Sequence, residues 1–245
     1  MSKVVAVIPA KAHSTRLPGK NMRMFAGKPL VAHTIEQAVA SSEVAKVYVS
    51  TDSAEIAQLA RNLGADVPFL RQAELALPDV HALYPIIDLL VRTGASTTFD
   101  YAMMLLPTCP LRRVSDIDEI ARQAQAKHTN VLSVVDLGKT LYHLRTIDES
   151  GHLKPVVDGV SRNFQHGDSG HVYALNASCY CGPMSELLQQ RSFHTGQPLA
   201  YAMDEVTGMD IDTLAQFEKA EHLYRLRQDQ VAATRQSAES SSQRG

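Results

Sequence analysis

The sequence predicts an α/β protein with a mostly parallel sheet and crossover helices on its faces. Apolar runs rich in Val and Ile alternate with segments of helical spacing, which is the pattern of such a sheet. The chain has 245 residues, 44% of them hydrophobic and 20% charged, which is enough to bury a sizeable core. Its first apolar run is too short for a signal peptide core or a membrane span, so we expect a globular, cytoplasmic protein.

Strands and helices alternate through the first half of the chain. Strands are predicted at Lys3–Ala10, Lys46–Ser50, Tyr101–Cys109 and Asn130–Asp136, and helices at Pro29–Ala40, Ser53–Asn62, Leu83–Arg92 and Ser115–Lys127. The second helix is ended by Gly64, and Ser115 and Asp118 have the spacing of a capping box. The run YAMMLLPTC is typical of a central strand that is buried on both faces.

The second half of the chain predicts a different arrangement. From about Leu137 to Asn176, short β-like pieces alternate with Gly, Asp and His, without crossover helices, so we expect an antiparallel insertion over the sheet edge. It could close over a substrate or pair with a second subunit. A last strand at Leu199–Met203 and a helix at Thr213–Arg227 complete one domain of residues 1–230. The Ser-rich residues 231–245 are predicted to form a disordered polar tail.

Charge and cysteine content exclude several classes of function. A formal net charge of -2 gives no global attraction to nucleic acid or to an anionic membrane, so phosphate binding would need a local cluster of cations. Cys109, Cys179 and Cys181 are odd in number and lack the C-x-x-C spacing of a zinc or redox site. We expect reduced, mostly buried thiols.

Three cations and two hydrogen-bonding side chains stand in the loop after the first strand. They are Lys11, Arg16 and Lys20, with Ser14 and Asn21, in AKAHSTRLPGKN. Ligands of open α/β sheets bind beyond the carboxyl ends of the strands, so this loop is predicted to bind a triphosphate. A solvated basic turn is the alternative. The loop has neither a Walker A pattern nor G-x-G-x-x-G, so side chains would bind phosphate as much as the backbone does.

A second candidate site is the pair Asp210 and Asp212 in MDIDT. In an extended segment, residues i and i+2 point to the same side, so both carboxylates would face one point. Mg2+ is typically held by one or two carboxylates, waters and substrate phosphates, and the pair suits such a site. The structural alternative is a helix start, in which Thr213 and Gln216 form a capping box and Asp212 favours the helix N-terminus.

Two further places carry weaker signals. His166, Asp168 and His171 in HGDSGH look like a metal cluster, but their loop setting and lack of i, i+4 spacing disfavour structural zinc and leave substrate contact open. By composition alone, Arg71 is an ordinary surface arginine.

Six segments, in this order, resemble the acylneuraminate cytidylyltransferase family, the CMP-sialic acid synthetases. They are IPAKAHSTRLPGKN, GKPLVAHTIEQA, VYVSTDSAEIAQLARNLGADVPFLRQAELA, LLPTCPLR, SGHVYALN and MDIDTLAQFEKAEHL. The resemblance implies a three-layer α/β/α, Rossmann-like nucleotide-diphosphosugar-transferase fold. It also implies a homodimer in which the insertion contacts the partner.

The resemblance assigns expected roles to individual residues. The nucleotide side would comprise Ala10, Lys11, Ser14, Arg16, Lys20 and Asn21, with Lys20 on the triphosphate and Arg71 near the cytosine. Asp210 and Asp212 would hold Mg2+, and the acceptor side would comprise Leu106, Arg162, Ser169, His171 and Tyr173. In the implied reaction, the anomeric hydroxyl of an acidic 2-keto-3-deoxy sugar attacks the α-phosphorus of CTP, and pyrophosphate leaves. Lys20, Asp210 and Asp212 would be the catalytic residues, and no general base is assigned.

The chain departs from the family pattern at several positions. Lys11 stands where Arg is usual, which exchanges a planar fork for a point charge. Leu106 replaces an expected sugar-contacting Gln, Ser169 and His171 replace Asn and Ala, and Pro78 interrupts a polar stretch. Most of these changes fall on the acceptor side, so the nucleotide is better defined than the sugar, and a pseudaminic- or legionaminic-type acid remains open.

Two other functions stay open at this point. A 3-deoxy-manno-octulosonate cytidylyltransferase shares a loop like STRLPGK, but typically carries a GDEP-like segment where this chain has LLPTCPLR. A non-catalytic nucleotide-binding relative would explain the substitutions on the acceptor side.

Overall fold

One six-stranded sheet and two small hairpins organise the chain in the computed structural model, which describes residues 3–139, 141–157 and 171–242. The strands are β1 (Val4–Pro9), β2 (Met24–Phe25), β3 (Lys28–Pro29), β4 (Val44–Ser50), β5 (Tyr101–Leu105), β6 (Val131–Asp136), β7 (Arg145–Ile147), β8 (Leu153–Pro155), β9 (Tyr173–Pro183) and β10 (Leu199–Met203). The helices are α1 (Leu30–Val39), α2 (Ala54–Asn62), α3 (Leu83–Arg92), α4 (Ala95–Thr98), α5 (Val114–Lys127), α6 (Met184–Gln190) and α7 (Leu214–Ser242).

The main sheet has the strand order β10-β6-β9-β5-β1-β4. β1 is parallel to β4 and β5, and β10 is parallel to β6, whereas β9 runs antiparallel between β5 and β6. The predicted mostly parallel sheet is confirmed. Five strands therefore end at the same edge, where β9 begins, and this edge is where ligands bind in open α/β sheets.

Helices cover both faces of the sheet. In β1, Val4, Ala6 and Ile8 pack into a core with α1, α2 and α5, while Val5 and Val7 pack on the other face with α3 and α6. This division follows from the alternation of side chains along a strand, and all five residues are fully buried. Burial of each large aliphatic side chain contributes about 1.5–3 kcal/mol. The three-layer α/β/α architecture is confirmed.

A third, smaller core fixes the loops at the carboxyl edge. Its buried members are Leu17, Phe25, Leu30, Leu111, Ile211, Phe217 and Ala220. The β2–β3 hairpin contributes Phe25 to this core. Its two strands are connected by a two-residue turn, Ala26-Gly27, with φ of 46° and 93°. Such turns need positive φ at both central residues. This core therefore packs Leu17, in the loop after β1, and Ile211, between the two aspartates, against helix α7.

Several boundaries differ from the prediction. β5 ends at Leu105 because prolines at 107 and 110 follow it, and a proline cannot donate to a ladder. Helix α5 begins at Val114, where the backbone N–H of Arg113 donates to Asp116 Oδ2 at 2.8 Å. Asp118 lies inside the helix and accepts instead from serines at 41 and 42, so the Ser115–Asp118 capping box was wrong.

The insertion is partly as expected. Within the described residues it contains the antiparallel β7–β8 hairpin, in which Arg145 pairs with Pro155 and Ile147 with Leu153. Residues 173–176, however, belong to β9 in the middle of the main sheet and do not lie over its edge. The second half of β9 and helix α6 were not predicted.

The last helix is longer than expected. Its backbone continues to Ser242, through residues 231–242 of the segment predicted to be a disordered tail. That stretch contains Ala, Arg, Gln and Glu, which favour helix, together with Val, Thr and four Ser, which favour it less. Across the described residues, no helix has the length and apolar character needed to cross a membrane.

Candidate functional site

The basic loop and the aspartate pair meet at the carboxyl edge of the sheet. Arg16 Nη1 lies 2.5 Å from Asp212 Oδ2, and Lys20 Nζ lies 3.3 Å from Asp212 Oδ1. Lys20 also donates to the carbonyl oxygen of Ile211 at 2.6 Å. The Lys20 side chain is 8% exposed and the Arg16 side chain 71% exposed. The predicted convergence of the cations with the MDIDT segment is therefore confirmed for Lys20 and Arg16.

The loop is held in place mainly by backbone hydrogen bonds. Ala10, fully buried, donates its N–H to Ser50 O at 2.9 Å, so it can offer a ligand only its backbone. Ala12 N–H donates to Asp52 Oδ1 at 2.8 Å, and Asn21 Nδ2 donates to Lys11 O at 2.8 Å. Asn21 therefore braces the loop. Lys11 and Ser14 are partly exposed, as nucleotide-facing side chains would be.

A left-handed glycine positions Lys20. Gly19 has φ 66° and precedes the single 3-10 turn Lys20–Met22. An L side chain is disfavoured at this φ, so glycine lets the chain turn there and direct Lys20 inward. The result is a buried ammonium group beside Asp212.

The aspartate pair flanks a buried anchor. Ile211 is fully buried, and its N–H donates to Thr108 O at 2.9 Å. The capping box is also present, since Gln216 N–H donates to Thr213 Oγ1 at 3.2 Å and Thr213 N–H donates to Gln216 Oε1 at 2.9 Å. Neither aspartate carboxylate takes part in that cap. The capping box is therefore confirmed, and the metal-site interpretation of the two carboxylates stays a prediction.

Asp210 is an electrostatically unfavourable carboxylate. Burial raises its pKa, and the like charge of Asp212 raises it further, against the lowering effect of the Thr108 hydroxyl, Lys20 and Arg16. The cations pair with Asp212, whereas Asp210 has the Thr108 hydroxyl and, at 3.9 Å from its Oδ1, the weak thiol donor of Cys109 beside it. A cation bound beside Asp210 would stabilise the charged form of this carboxyl.

The donor set at this point fits Mg2+. Among the residues that the structure describes, no group of three or more His, Cys, Asp or Glu could hold a metal ion. A metal at Asp210 and Asp212 would therefore complete its coordination with water and ligand oxygens, as Mg2+ does.

Arg71 lies at the end of β4, beside the basic loop. Its guanidinium donates to the carbonyl and hydroxyl oxygens of Ser50, the residue whose carbonyl also accepts from Ala10. Burial lowers the pKa of Arg71 to about 10, against the raising effect of Asp52. The expectation of an ordinary surface arginine was wrong, because this side chain is buried against the end of β4.

The predicted acceptor-side residues are only partly described. Leu106 follows β5, and Tyr173 begins β9 with its side chain exposed. A hydrogen bond of 2.7 Å joins His171 Nδ1 to Asp136 Oδ2. Arg162 and Ser169, like His166 and Asp168, lie outside the described residues.

Two neighbouring cavities open at this edge. The first, which we call the aspartate cavity, has a volume of about 520 Å3, and its lining includes Asp136, Asn176, Asp210 and Gln216. The second, the apolar cavity, has a volume of about 450 Å3, and its lining includes Leu106, Ala177 and Phe193. Leu175 lines both, so the two cavities adjoin.

A bulge in β9, which the sequence analysis missed, shapes the wall between these cavities. Ser133 Oγ donates to Asn176 Oδ1 at 2.6 Å and accepts from Cys179 N–H at 2.9 Å. Ala177 has φ 51°, unusual for a residue other than glycine. Asn176 Nδ2 donates to Gly208 O at 3.0 Å, which ties β9 to the loop before Asp210. The polar Asn inside an otherwise strand-like run was the available signal.

A buried arginine behind the site was also missed. Arg112 donates to Ser178 O, to Thr34 Oγ1 at 3.2 Å and to Gln37 Oε1 at 3.2 Å, and burial lowers its pKa. It joins the loop after β5 to β9 and α1. Nearby, Cys109 is buried and free, and burial raises the pKa of its thiol to about 12. The prediction of buried, unpaired cysteines is confirmed.

Comparison with known proteins places this geometry in a family. The model of one family, described as cytidylyltransferase, matches residues 5–133. The chain belongs to the cytidylyltransferase family. It is 35% identical over 234 residues to a CMP-N,N'-diacetyllegionaminic acid synthase of Legionella pneumophila, covering 93% of this chain and 98% of that protein.

The chain is also similar to a longer relative and to a solved structure. An N-acylneuraminate cytidylyltransferase of Escherichia coli is 32% identical over 221 residues, covering 89% of this chain and 51% of that protein, so this chain spans about half of its length. A solved CMP:2-keto-3-deoxy-manno-octonic acid synthetase complexed with CTP superimposes with a TM-score of 0.69 at 19% identity, covering 92% of this chain and 100% of that one. At that identity, the likeness supports the cytidylyltransferase fold alone.

Proposed function

We propose that this cytidylyltransferase transfers CMP from CTP to the anomeric hydroxyl of an acidic 2-keto-3-deoxy nonulosonate and releases pyrophosphate. The observation that carries the proposal is the meeting of Lys20 and Arg16 with Asp212, beside the buried Asp210, at the carboxyl edge of the sheet. Similarity to synthases named for legionaminic and N-acylneuraminic acids supports the choice of acceptor. We propose a cytoplasmic location as well, since CTP is a cytoplasmic nucleotide.

The nucleotide would lie over β1 and β4. Lys11, Arg16 and Lys20 would bind the triphosphate, because they follow β1 and supply three positive charges within one loop. Arg71 would lie near the cytosine. Its hydrogen bonds to Ser50 hold its guanidinium at the end of β4. The cations that pair with Asp212 in the free protein would be shared with phosphate oxygens when CTP is bound.

The acceptor would lie over β5, β9 and β6. These strands are on the opposite side of β1 from β4, and the aspartate cavity opens above β9 and β6. In the reaction, the anomeric oxygen forms a bond to the α-phosphorus while the bond from that phosphorus to the bridging oxygen of pyrophosphate breaks. The hydroxyl proton is released, and no general base is assigned. The chain's part is to align the two substrates and neutralise charge.

Asp210 and Asp212 would hold Mg2+. When bound, the ion supplies charge neutralisation and polarisation of the phosphate. Phosphoryl-type transfer depends mostly on such positioning and electrostatics, which is consistent with a site rich in cations and carboxylates and without an evident strong base.

A pyrophosphate-release screen tests the proposal. Each of the four nucleoside triphosphates is combined with a panel of nonulosonic acids and with 3-deoxy-manno-octulosonate, in the presence of Mg2+. We expect release only with CTP and at least one nonulosonic acid. Turnover confined to the octulosonate would contradict the proposed nonulosonate acceptor. CTP binding without release for any acid would support the non-catalytic alternative.

We also propose that the protein is a homodimer that uses the β7–β8 hairpin. Ile147 and Leu153 face each other across that hairpin and are 71% and 69% exposed, an unusual exposure for paired aliphatic side chains. Light scattering after size exclusion should give twice the chain mass of 26.8 kDa, and Ile147→Asp should give the monomer. Val91→Asp, at an exposed position of α3, is the matched control. A wild-type monomer would contradict the proposal.

A further inference from the structure

Arg112 is a buried cation whose hydrogen-bond acceptors are all neutral. It is 2% exposed, and its Nε has no hydrogen-bond partner among the residues that the structure describes. Nη1 donates to the carbonyl oxygen of Ser178 and, at 3.4 Å, to the Ser178 hydroxyl. Nη2 donates to Thr34 Oγ1 and Gln37 Oε1, both at 3.2 Å. Burial of a charge without a carboxylate partner is costly, and an apolar side chain would fill the space without that cost. Packing alone therefore does not explain an arginine at this position.

The guanidinium of Arg112 joins two layers of the fold. Ser178 lies in β9, whereas Thr34 and Gln37 lie one turn apart on α1, so that they share one face of that helix. The planar fork of an arginine directs its terminal nitrogens to different points, so that one side chain holds the strand and the helix at once. A lysine carries all its donors on a single nitrogen and cannot make both connections in this way.

Gln37 extends this connection to the loop between β5 and α5, which also contains Arg112. Its Nε2 donates to the carbonyl oxygens of Pro110 and Arg112, both at 2.8 Å. From the other side, Arg227 of α7 donates to Leu111 O at 3.0 Å. The carbonyl groups of this loop are therefore fixed by side chains from two helices, and Arg112 ties the same loop to β9.

The same loop carries the contacts that fix the aspartate pair. Ile211 N–H donates to Thr108 O at 2.9 Å, which attaches the backbone between the two aspartates to the loop. Cys109, the next residue of the loop, has its Sγ 3.9 Å from Asp210 Oδ1 and 3.6 Å from Asn176 O. A shift of the loop would therefore move the carboxylates of the aspartate pair relative to the cations of the loop after β1.

We propose that Arg112 is a positioning residue for the candidate metal site: it holds the loop between β5 and α5 on β9 and α1, and thereby fixes the arrangement of Asp210 and Asp212. Arg112 itself touches neither substrate. This inference rests on the function proposed above, since the site for Mg2+ and CTP is part of that function. Mg2+ requires nearly ideal octahedral coordination, so its affinity is sensitive to small displacements of its ligands. Substitution of residues that orient metal ligands typically lowers metal affinity by about 10- to 100-fold.

Arg112→Lys tests the proposal, because it keeps the charge and removes the fork. Calorimetric titration of CTP with and without Mg2+ is the first measurement. We expect the factor by which Mg2+ tightens CTP binding to fall about tenfold or more, with the affinity for metal-free CTP unchanged, because the cations of the loop after β1 are intact. In pyrophosphate release, the half-saturating Mg2+ concentration should rise about tenfold or more, and kcat should recover as Mg2+ is raised. A loss of folding stability alone would not change the Mg2+ dependence of the folded protein.

Two further variants complete the test. Arg61→Lys is the matched control, because Arg61 Nη2 also donates to a backbone carbonyl, that of Val67 at 2.7 Å, but in the last turn of α2, and it should keep the wild-type response to Mg2+. Gln37→Met removes the donor to the loop carbonyls without touching the buried charge. It should reduce the response to Mg2+ in the same direction, and it provides the comparison if Arg112→Lys does not fold.

The outcomes distinguish this inference from the proposed function. A folded Arg112→Lys or Gln37→Met with the wild-type response to Mg2+ would overturn the positioning role and leave cytidylyl transfer intact. An equal loss of CTP affinity with and without Mg2+ would also overturn it, because the damage would then extend to the whole nucleotide site. If Mg2+ has no effect on CTP binding or on pyrophosphate release in the wild type, the proposed magnesium-dependent function itself fails.

Discussion

Replacement of Lys20 by Met should separate the structural role of this residue from its role in binding. Lys20 Nζ donates to Ile211 O at 2.6 Å and to Asp212 Oδ1 at 3.3 Å, and its side chain is 8% exposed. Methionine fills similar space without a charge, so the variant loses the hydrogen bonds but leaves little cavity. A hydrogen bond that involves a charged group contributes about 1.5–3 kcal/mol. Asp212 is 24% exposed and keeps Arg16, so we expect a loss near the lower end, about 2 kcal/mol.

That loss corresponds to a decrease in melting temperature of about 4–8 °C for a chain of this size. Urea unfolding followed by circular dichroism measures the free energy, and calorimetric titration measures CTP affinity, which should fall at least about tenfold. Arg16→Met provides the contrast. It should lower stability by at most about 1 kcal/mol, because its ion pair is exposed. It should still weaken CTP binding, because the same positive charge is lost from the phosphate site. Lys219→Met, on exposed α7, is the matched control for both measurements.

Two results would refute this reasoning. If Lys20→Met unfolds at the wild-type urea concentration, its buried hydrogen bonds do not stabilise the MDIDT segment. If its CTP affinity equals that of the wild type, the basic loop is not the triphosphate site.

Three other substitutions should behave as follows. Glu221 accepts a hydrogen bond from Ala26 N–H at 2.8 Å, and that bond lowers the pKa of Glu221. Because the folded-state pKa is below the unfolded value, the stabilisation of the fold by ionised Glu221 is present above pH ~4.3 and is lost as the pH falls through the folded-state pKa. Glu221→Gln should therefore be less stable by up to about 1 kcal/mol at pH 7 and equal to the wild type in acid, as measured by urea titrations at both pH values. Arg71→Met removes a buried guanidinium that donates to two oxygens of Ser50, and it should lower the free energy of unfolding by about 1–3 kcal/mol. It should also lower the affinity for CTP, as measured by calorimetric titration. Ser133→Ala should lower the free energy of unfolding by about 1–3 kcal/mol and reduce kcat, because Asn176 loses a donor that holds the β9 bulge; an unchanged kcat would make that bulge purely structural.

Local patterns predicted the elements whose packing follows from their own sequence. Helix α3 has the predicted bounds Leu83–Arg92 and strand β10 the predicted bounds Leu199–Met203, since apolar spacing alone marks them. The alternation in MDIDT likewise predicted that Ile211 would point away from the side of Asp210 and Asp212, and Ile211 is fully buried in the core. The composition of the loop predicted its cations.

Features that depend on distant parts of the chain were not predictable in this way. The second half of β9 carries Ser, Cys and Gly, and it is a strand because it inserts between β5 and β6, which sequence spacing does not encode. Arg71 is buried because its guanidinium finds partners on Ser50, 21 residues earlier in the chain, although arginine by composition is a surface residue. Arg112 is buried for a similar reason, since its partners come from α1 and β9.

The central claim is that the basic loop and the aspartate pair form one site for a magnesium-bound triphosphate. Calorimetric titration of CTP with and without Mg2+, in the wild type and in Asp210→Asn/Asp212→Asn, tests it most directly. We predict that Mg2+ tightens CTP binding by the wild type, and that the variant loses this effect while binding metal-free CTP at least as well, because two negative charges beside the phosphates are gone. An equal effect of Mg2+ on both proteins would contradict the account.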